Sequence, residues 1–372
     1  MVKPKFIKVV RRVAMILLFV NSTFGLAQDN KVENPVVNAF QIGNIVISPG
    51  KTYRGNLKVP SGGDKKETFI PITVNHGNRP GPVLSLIAGI HGSEYSPILA
   101  MQELAGQIDS SQLSGTLIIV HIANMPAFVG RTVYFGPDDL KNLNRSFPGN
   151  IDGTITERIA YILTSEVIAR SDYLVDIHSG DANESLRPSY SAYYGEAGGL
   201  EVVAESKRLA VAFGLETIVQ FSGSYNSLDD AIYTSAQAVT RGIPAIDIES
   251  GELGNINDKF IDPIINGSLN IMQELSMING QPALPSNPLL ISERTRVYSS
   301  HDGIFYPGPK VQTGDYITAG TFLGVVTDYH GNMLETISAP SSGVLLILFG
   351  TPPVNKGDNI VVIGSVAESA KN

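Results

Sequence analysis

Residues 83–94 read VLSLIAGIHGSE, and this stretch decides the fold class. Its first half, 83–88, is a continuous apolar run with the length of one buried β-strand. A strand that is buried on both faces is typical of a parallel sheet covered by helices on both sides. Its second half, 89–94, is a glycine-containing loop that carries a histidine and a glutamate three residues apart. The stretch therefore predicts a buried strand that delivers two polar side chains to one end of a sheet.

The segments that follow alternate between strand and helix patterns. Strands are predicted at 116–122, 173–177 and 245–248, and helices at 97–107, 156–170, 200–213 and 258–278. This alternation predicts an α/β fold with a mixed, mostly parallel central sheet flanked by helices. In such sheets ligands bind outside the carboxyl ends of the strands. Polar residues that directly follow a strand are therefore the first candidates for a functional site.

The pattern changes after residue 279. Residues 280–288 read GQPALPSNP, a proline-rich linker, and helical periodicity is absent beyond them. Short alternating runs broken by glycine and proline predict a small all-β domain at 289–366. Residues 28–75 are also strand-like and are interpreted as a β lead-in to the main sheet. The predicted domains are thus 28–280, which holds the candidate site, and 289–366.

The first 27 residues have the pattern of a secretory signal peptide. They contain five Lys and Arg and no acidic residue, followed by an apolar run at 13–20 and small residues up to Ala27. The alternative is an uncleaved membrane anchor, but the run is shorter than the roughly 20 residues that a bilayer span needs. We therefore expect an exported protein, periplasmic or secreted, with no membrane span after cleavage.

Charge and cysteine content exclude several classes of function. The formal net charge is −8, and beyond residue 27 there remain 22 Lys and Arg against 35 Asp and Glu. An acidic chain without a basic stripe argues against nucleic acid as a partner. The chain has no cysteine. Any metal must therefore be bound by histidine and carboxylate side chains.

Two predicted strand ends carry residues suited to bind a metal ion. His91 and Glu94 follow the strand at 83–88, and His178 ends the strand at 173–177. Two histidines and one glutamate form a known zinc ligand set that leaves a position open for water. Strand alternation places Asp176 on the same side as His178, where it can orient the imidazole. A histidine that is merely structural remains the alternative for each position considered alone.

Two further motifs complete the candidate site. Asn144 and Arg145 lie in a loop that proline and glycine terminate, and their amide and guanidinium groups suit a substrate carboxylate. Arg145 could instead hold its loop through backbone carbonyls. Glu249 directly follows the strand at 245–248 and can act as a general base for water. Glu252 is close enough in sequence to compete for that role.

In this order and spacing, four motifs resemble the succinylglutamate desuccinylase/aspartoacylase family within the zinc carboxypeptidase superfamily. The motifs are HGSE at 91–94, NLNRSFPG at 142–149, DIHSGD at 176–181 and IESGELG at 248–254. The resemblance covers about residues 40–365 and implies a central mixed sheet flanked by helices. It also implies one zinc ion per chain and cleavage of an amide or ester bond in a small N-acyl amino acid.

The resemblance also assigns roles by motif. The implied zinc ligands are His91, Glu94 and His178, the implied general base is Glu249, and the implied substrate-binding pair is Asn144 and Arg145. An arginine upstream of that pair usually polarises the scissile carbonyl, and Arg131 is the candidate in its interval. The later arginine and tyrosine that contact substrate would be Arg187 and Tyr190.

The chain departs from the family pattern in three respects. The usual Asn-Pro-x-Ala motif is shifted to 124–127, and the aspartate that usually precedes Leu-Asn-Arg is Asn142. Characterised family members are cytoplasmic, whereas this chain has a predicted export signal. Residues 289–366 are similar to a biotinyl/lipoyl-like β-sandwich but lack its attachment lysine, which disfavours a carrier role.

The sequence thus predicts a zinc-dependent amidohydrolase acting on a small, carboxylate-bearing acylated substrate. Two alternatives stay open. One is a periplasmic zinc carboxypeptidase that acts on peptides or cell-wall fragments, and the other is a non-catalytic binding protein that retains the pocket. The acyl group, the amine and the formation of a homo-oligomer are left open by the sequence.

Overall fold

The computed structural model of the chain describes residues 37–367. The predicted signal peptide and residues 28–36 lie outside this range. The strands are β1 Phe40–Ile42, β2 Ile45–Ile47, β3 Lys51–Val59, β4 Thr68–His76, β5 Arg79–Ala88, β6 Ser114–Val120, β7 Tyr173–His178, β8 Glu184–Leu186, β9 Tyr190–Tyr194, β10 Thr217–Phe221, β11 Ala245–Glu249, β12 Leu289–Tyr298, β13 Gly303–Pro307, β14 Tyr316–Ile317, β15 Phe322–Thr327, β16 Met333–Ser338, β17 Gly343–Phe349, β18 Pro353–Val354 and β19 Asn359–Val366.

Six α-helices cover this sheet in the described range. They are α1 Tyr95–Gln107, α2 Met125–Gly130, α3 Ile155–Ile162, α4 Leu200–Ala212, α5 Thr234–Thr240 and α6 Asp258–Glu274. Helix α3 begins at a capping box formed by Thr154 and Glu157 and continues as irregular helical turns through Arg170. No helix within residues 37–367 is both long and apolar enough to cross a membrane.

The fold is the predicted mixed α/β architecture. The main sheet has the order β14-β17-β19-β12-β10-β9-β11-β7-β5-β6-β4-β3, with β8 paired to β17. Strands β6, β5, β7 and β11 run parallel to one another, as do β9, β10 and β12. Strand β9 is antiparallel to β11, and the outer pairs are antiparallel as well. Apolar side chains from both faces of the sheet form two buried clusters.

Parallel pairing brings three predicted polar positions to one edge of the sheet. Strands β5, β7 and β11 are neighbours. His91 and Glu94 follow β5, whereas His178 and Glu249 are the last residues of β7 and β11. Gly89 follows β5 with φ +70°, and a Cβ there would come within 3.0 Å of the Ile122 backbone. Since only glycine adopts this backbone without strain, the tight exit from β5 depends on it. The candidate residues of these three strands therefore lie at the carboxyl edge of the sheet.

The C-terminal β region is joined to the main sheet by hydrogen bonds. Within 289–366 all regular structure is β, as predicted, and the region has an apolar cluster of its own. However, β12 pairs in parallel with β10 through Thr217–Leu289 to Val219–Ile291, and β8 pairs with β17. The large sheet therefore runs through both predicted domains, and the boundary at 280–288 stays a prediction.

Sequence patterns missed several short strands and two short helices. Strands β8, β9 and β10 and helices α2 and α5 were not predicted. Each spans only three to seven residues. Such short runs are too brief to show a period, so their pairing partners decide their structure.

Candidate active site

A cavity of about 390 Å³ lies at the carboxyl edge of the sheet. Its walls include His91 and Glu94 after β5, His178 at the end of β7 and Glu249 at the end of β11. It is also lined by residues of β12 in the C-terminal β region. The candidate residues that sequence spacing placed at strand ends thus share one concave site.

Three of these residues form a buried cluster. Nδ1 of His91 lies 2.8 Å from Oε1 of Glu94, and Nδ1 of His178 lies 3.1 Å from the same oxygen. All three side chains are buried, with Glu94 only 1 % exposed. Gly92 allows the loop that carries His91 and Glu94 to pack against the Ala127 backbone, because a Cβ at this position would lie 2.5 Å from that backbone. The cluster depends on close backbone packing.

The second ring nitrogen of each histidine, Nε2, also lies next to an oxygen atom. Oδ1 of Asn142 lies 3.3 Å from Nε2 of His91, and Oδ2 of Asp176 lies 3.1 Å from Nε2 of His178. An amide oxygen and a carboxylate are acceptors, so a proton on Nε2 of each ring would suit these neighbours and would leave the Nδ1 lone pair to a metal ion. This confirms the predicted proximity of Asp176 to His178.

The donor set fits a divalent metal ion. The three ligand atoms lie within 4.8 Å of one another. A tetrahedral zinc site places its nitrogen and oxygen donors about 3.3 Å apart, and the observed His–Glu separations of 2.8–3.2 Å are close to this value. Both Nδ1 atoms face the carboxylate, and no thiolate is available. The cluster therefore has the donors and spacing that zinc requires.

The electrostatics of the cluster favour a cation. Burial alone would raise the pKa of Glu94, but His178 and His91 lower this pKa to about 2. Burial would lower the pKa of His178, yet Asp176 and Glu94 raise it well above its ordinary value. The carboxylates thus create a site that attracts positive charge, which protons or a metal ion can supply at the same Nδ1 atoms.

Asp181 is an additional carboxylate beside the cluster. Its Oδ2 lies 3.5 Å from Nδ1 of His91, and its Oδ1 accepts a 3.2 Å hydrogen bond from Ser93. Burial raises the pKa of Asp181 well above its ordinary range. Sequence reasoning did not single out this residue, although it ends the quoted motif DIHSGD.

Glu249 and Glu252 lie in different environments. Glu249 lines the cavity, and its buried Oε2 has no hydrogen-bond partner within residues 37–367. Burial raises the pKa of Glu249 well above its ordinary value, and Glu94 and Glu184 raise it further. Glu252 instead accepts a 3.0 Å hydrogen bond from Arg187 and a 2.9 Å hydrogen bond from Ser185. Only Glu249 is available to a molecule in the cavity.

Asn144 and Arg145 both line the cavity. Oδ1 of Asn144 accepts hydrogen bonds from the backbone and hydroxyl of Thr234, which fixes the orientation of its amide. Arg145 donates a 2.6 Å hydrogen bond to the carbonyl of Asn144 and stacks 4.4 Å from the ring centroid of Tyr233. The guanidinium thus binds a backbone carbonyl of its own loop and also borders the cavity.

The structure corrects the expectation for Arg131. This residue is exposed at the end of α2, in a left-handed conformation with φ +55°, and does not line the cavity. Its backbone N–H closes the helix by donating to the carbonyls of Ala127 and Phe128. Arg187 is likewise absent from the cavity wall and pairs with Glu252. Tyr190 does line the cavity and is 1 % exposed.

Two arginines that sequence reasoning missed enter the cavity from β12. Arg294 and Arg296 are alternate residues of this strand and both line the cavity. Strand alternation places such residues on one side, which is a signal present in the sequence. Alternation does not reveal that β12 pairs with β10, so it predicts a shared side of the strand and not a place in this cavity.

Comparison with known proteins supports a hydrolase family. The family model described as the succinylglutamate desuccinylase/aspartoacylase catalytic domain matches residues 80–275. The chain is 31% identical over 330 residues to an N-alpha-acetyl-L-2,4-diaminobutyric acid deacetylase of Halomonas elongata. That match covers 85% of this chain and 92% of the relative.

Solved structures with a similar fold belong to the same group. A succinylglutamate desuccinylase from Silicibacter sp. TM1040 is 26% identical, with a TM-score of 0.75 over 90% of this chain and 99% of the other. The product-bound ectoine utilization protein EutE (DoeB) from Ruegeria pomeroyi is also 26% identical. Its TM-score is 0.76, over 89% of this chain and 99% of the other. These similarities extend through the C-terminal β region.

Proposed function

The chain belongs to the succinylglutamate desuccinylase/aspartoacylase family, and on this premise we propose that it is a zinc-dependent hydrolase that cleaves the amide bond of a small N-acyl amino acid. The observation that carries the proposal is the buried cluster of His91, Glu94 and His178 in the same cavity as Glu249, whose Oε2 has no hydrogen-bond partner among the described residues. The homologues are acyl amino acid hydrolases, so the proposal adds the metal, the site residues and the substrate class.

His91, Glu94 and His178 would hold one zinc ion per chain through Nδ1, a carboxylate oxygen and Nδ1. A bound zinc ion supplies Lewis acidity, which activates water at neutral pH and polarises a carbonyl. Asn142 and Asp176 hold the two imidazoles from their Nε2 atoms and so keep both rings in the ligating tautomer.

In this proposal Glu249 is the general base and then the general acid. Its Oε2 accepts a proton from the attacking water and returns it to the nitrogen of the leaving amine. Burial raises the pKa of this carboxyl, so it holds a proton more readily than an exposed glutamate does. Because no residue within 37–367 donates a hydrogen bond to Oε2, this atom is available to the reactants.

Asn144 and Arg145 position the substrate. The guanidinium of Arg145 offers a planar fork for a carboxylate, and the ring of Tyr233 supports it from one side. Thr234 fixes the amide of Asn144. Holding the substrate against the reacting groups lowers the entropic part of the barrier, so positioning contributes to the rate.

Relatives suggest which substrates to test. The Halomonas elongata relative acts on N-alpha-acetyl-L-2,4-diaminobutyric acid, and structural relatives are succinylglutamate desuccinylases. Both compounds are N-acyl amino acids with an α-carboxylate. A carboxypeptidase acting on peptides or cell-wall fragments is a weaker proposal, because the cavity, whose wall includes side chains of β12, has a volume of only about 390 Å³.

Further parts of the proposal concern processing and assembly. We propose that residues 1–27 direct export and are removed, and that 289–366 acts as an accessory β domain. Its role would be to line the cavity through β12. The number of chains in the mature assembly is left to measurement.

The test uses the mature protein, purified and loaded with zinc. Metal content is measured by mass spectrometry, and hydrolysis is measured on N-acetyl and N-succinyl amino acids and on short peptides. We expect one zinc per chain and turnover of N-acyl amino acids. Turnover of peptides alone would favour the carboxypeptidase, and a zinc-loaded protein that hydrolyses neither would favour a binding protein.

A further inference from the structure

A second cavity lies outside the candidate active site. It has a volume of about 450 Å³ and shares no lining residue with the cavity that holds the metal cluster. Its lining comes from β3 and β4, from the last turns of α1, from the loop after β6 and from the start of α2. We call it the β4 cavity. Its volume is within the range of cavities that bind small molecules.

Strand pairing explains how the side chains of the β4 cavity meet. Phe69, Pro71 and Thr73 are alternate residues of β4 and therefore project from the same face of the sheet. Arg54 lies directly opposite Thr73 on β3, the last strand of the sheet, so its side chain projects from that face as well. The edge of the sheet thus places one basic side chain among apolar ones.

The apolar part of the β4 cavity is partly open to solvent. Phe69 borders the cavity and is nevertheless 41 % exposed. Pro71, Ile122 and Met125 line the cavity as well. An apolar group that covers the exposed part of the Phe69 ring and touches these side chains removes apolar surface from water. The cavity is therefore suited to a ligand with an apolar body.

Arg54 supplies the positive charge of the β4 cavity. Its guanidinium donates a 3.0 Å hydrogen bond to the carbonyl of Ala105, in the last turns of α1. The salt bridges of residues 37–367 do not include Arg54, and no acidic side chain of this range lines the cavity. A guanidinium has five N–H donors, so Arg54 keeps donors available for a ligand. A carboxylate is the group that matches their geometry.

His121 is a second polar residue of this cavity. Its Nε2 lies 2.8 Å from Oγ1 of Thr73, and its buried Nδ1 has no hydrogen-bond partner in the described part of the chain. Burial and the charge of Arg54 lower the pKa of His121 below its ordinary value. The imidazole is therefore neutral at neutral pH, and Arg54 alone determines the charge that a ligand meets.

The β4 cavity is connected to the metal-binding loop by one backbone segment. His121 and Ile122 line the cavity, and the two residues that follow them bind the exit of β5. The backbone N–H of Ala123 donates a 2.9 Å hydrogen bond to Ala88, and that of Asn124 donates one of 2.9 Å to Gly89. The two cavities are therefore distinct sites that share a supporting segment.

We propose that the β4 cavity is a second ligand site, which binds a small carboxylate with an apolar body. The carboxylate accepts charge-assisted hydrogen bonds from Arg54, and the apolar body covers Phe69 and packs against Met125. An aromatic ring and an alkyl chain both provide such a body. The inference goes beyond the proposed function and depends neither on the metal nor on hydrolysis.

The experiment is an NMR titration of the mature, zinc-loaded protein with isotope-labelled methionine methyl groups. Met125 lines the β4 cavity, and no methionine within residues 37–367 lines the active-site cavity, so the Met125 signal reports on the proposed site. The probes are phenylacetate and phenylacetamide, which differ by one charge. We expect a saturable shift of the Met125 signal and a Kd at least about fivefold lower for phenylacetate. The signal of Met333, which is exposed on β16, should not move.

Three variants separate the charged from the apolar contribution. R54Q should raise the Kd for phenylacetate by about 5- to 30-fold and change that for phenylacetamide by less than about threefold, since Arg54 is partly exposed to solvent. R54K keeps the charge but loses the planar fork, so an intermediate Kd is expected. F69A should raise both Kd values by about two- to tenfold, because both probes contain the ring that Phe69 contacts.

The matched control is R79Q. Arg79 is exposed and donates to a backbone carbonyl, that of Gln112, as Arg54 does to Ala105, but it does not line the β4 cavity. R79Q should leave both Kd values unchanged. Octanoate and octanamide form a second pair of probes, and the carboxylate with the lower Kd identifies the apolar body as a ring or a chain.

Several outcomes overturn the proposed site. They are a Met125 signal that neither carboxylate shifts at up to about 20 mM, equal Kd values for acid and amide, and an R54Q variant that weakens both probes equally. A Met125 signal that moves with protein concentration, together with a doubled mass in light scattering, would assign this face to a second copy of the chain and overturn the site as well. If R54Q does not fold, as judged by circular dichroism, R54K and F69A provide the same decision.

Discussion

The side-chain oxygen of Asn142 lies 3.3 Å from Nε2 of His91 and also accepts a 2.8 Å hydrogen bond from the backbone of Asn144. One amide oxygen thus orients a proposed metal ligand and fixes the loop that carries Arg145. Because the chain has asparagine where its family usually has aspartate, His91 is held by a neutral acceptor.

We expect Asn142→Ala to weaken zinc binding by about 10- to 100-fold, because loss of a partner to a metal-ligating histidine typically has this effect. Asn142→Asp should keep the acceptor and retain zinc affinity within about tenfold of the wild type. Competition with a zinc-chelating dye measures both. Equal affinity of the wild type and Asn142→Ala would contradict a positioning role for Asn142.

Removal of the metal or of a ligand should abolish activity. His178→Ala and treatment with a chelator should each lower turnover by at least about 1000-fold, and added zinc should restore only the chelated wild type. His330→Ala is the matched control, since His330 is exposed in the loop between β15 and β16. Metal content and turnover measured on the same samples decide the outcome, and a fully active, zinc-free protein would exclude the proposed metal site.

The two glutamates of the late motif should respond differently to substitution. Glu249→Gln should lower kcat by about 100- to 10,000-fold while zinc content and fold are retained. Glu252→Gln removes the charge that binds Arg187 and should lower the free energy of unfolding by about 1–3 kcal/mol, with kcat kept within about threefold. Turnover and denaturant unfolding of both variants test this. A Glu249→Gln variant with nearly normal kcat would contradict the general-base assignment.

Substitution of Arg145 should affect substrate binding more than folding. Arg145→Gln should lower kcat/KM by about 10- to 150-fold, the range expected for loss of a charge-assisted hydrogen bond. Arg145→Lys should recover only part of this, because lysine offers neither a fork nor the stacking on Tyr233. Steady-state kinetics measures the effect, with N-acyl amino acids and with the matching compounds in which the α-carboxylate is replaced by a carboxamide. The amide substrates, which lack the α-carboxylate, should be insensitive to Arg145.

Acid should weaken the start of α3. The side chain of Lys141 and the backbone of Thr154 lower the pKa of Glu157 below its ordinary 4.5. A lowered pKa means that Glu157 stabilises the fold above about pH 4.5 and loses this contribution as the pH falls through its folded pKa. The difference in free energy of unfolding between wild type and Glu157→Gln should therefore be constant near neutral pH and vanish in acid. Urea unfolding across this pH range provides the measurement, and a pH-independent difference would contradict it.

Sequence patterns predicted the part of the site that depends on strand ends. His91, Glu94, His178 and Glu249 each stand at or just after a strand, and the carboxyl ends of neighbouring parallel strands meet at one edge. Arg131 was suggested by the family resemblance and not by a strand end; it is exposed at the end of α2 and does not line the cavity. Sequence reasoning also missed Asp181, which depends on how the loop after β7 folds back on Ser93.

The sequence by itself determined which residues end the buried strands, because apolar runs and alternation are local properties of the chain. Only the tertiary structure separated Glu249 from Glu252. Strand β11 ends at Glu249, and Gly251, with φ +123°, redirects the chain so that Glu252 meets Arg187. Only the pairing of β12 with β10 placed Arg294 over Phe221. Both outcomes depend on contacts between residues that are distant in sequence, and no local pattern encodes such contacts.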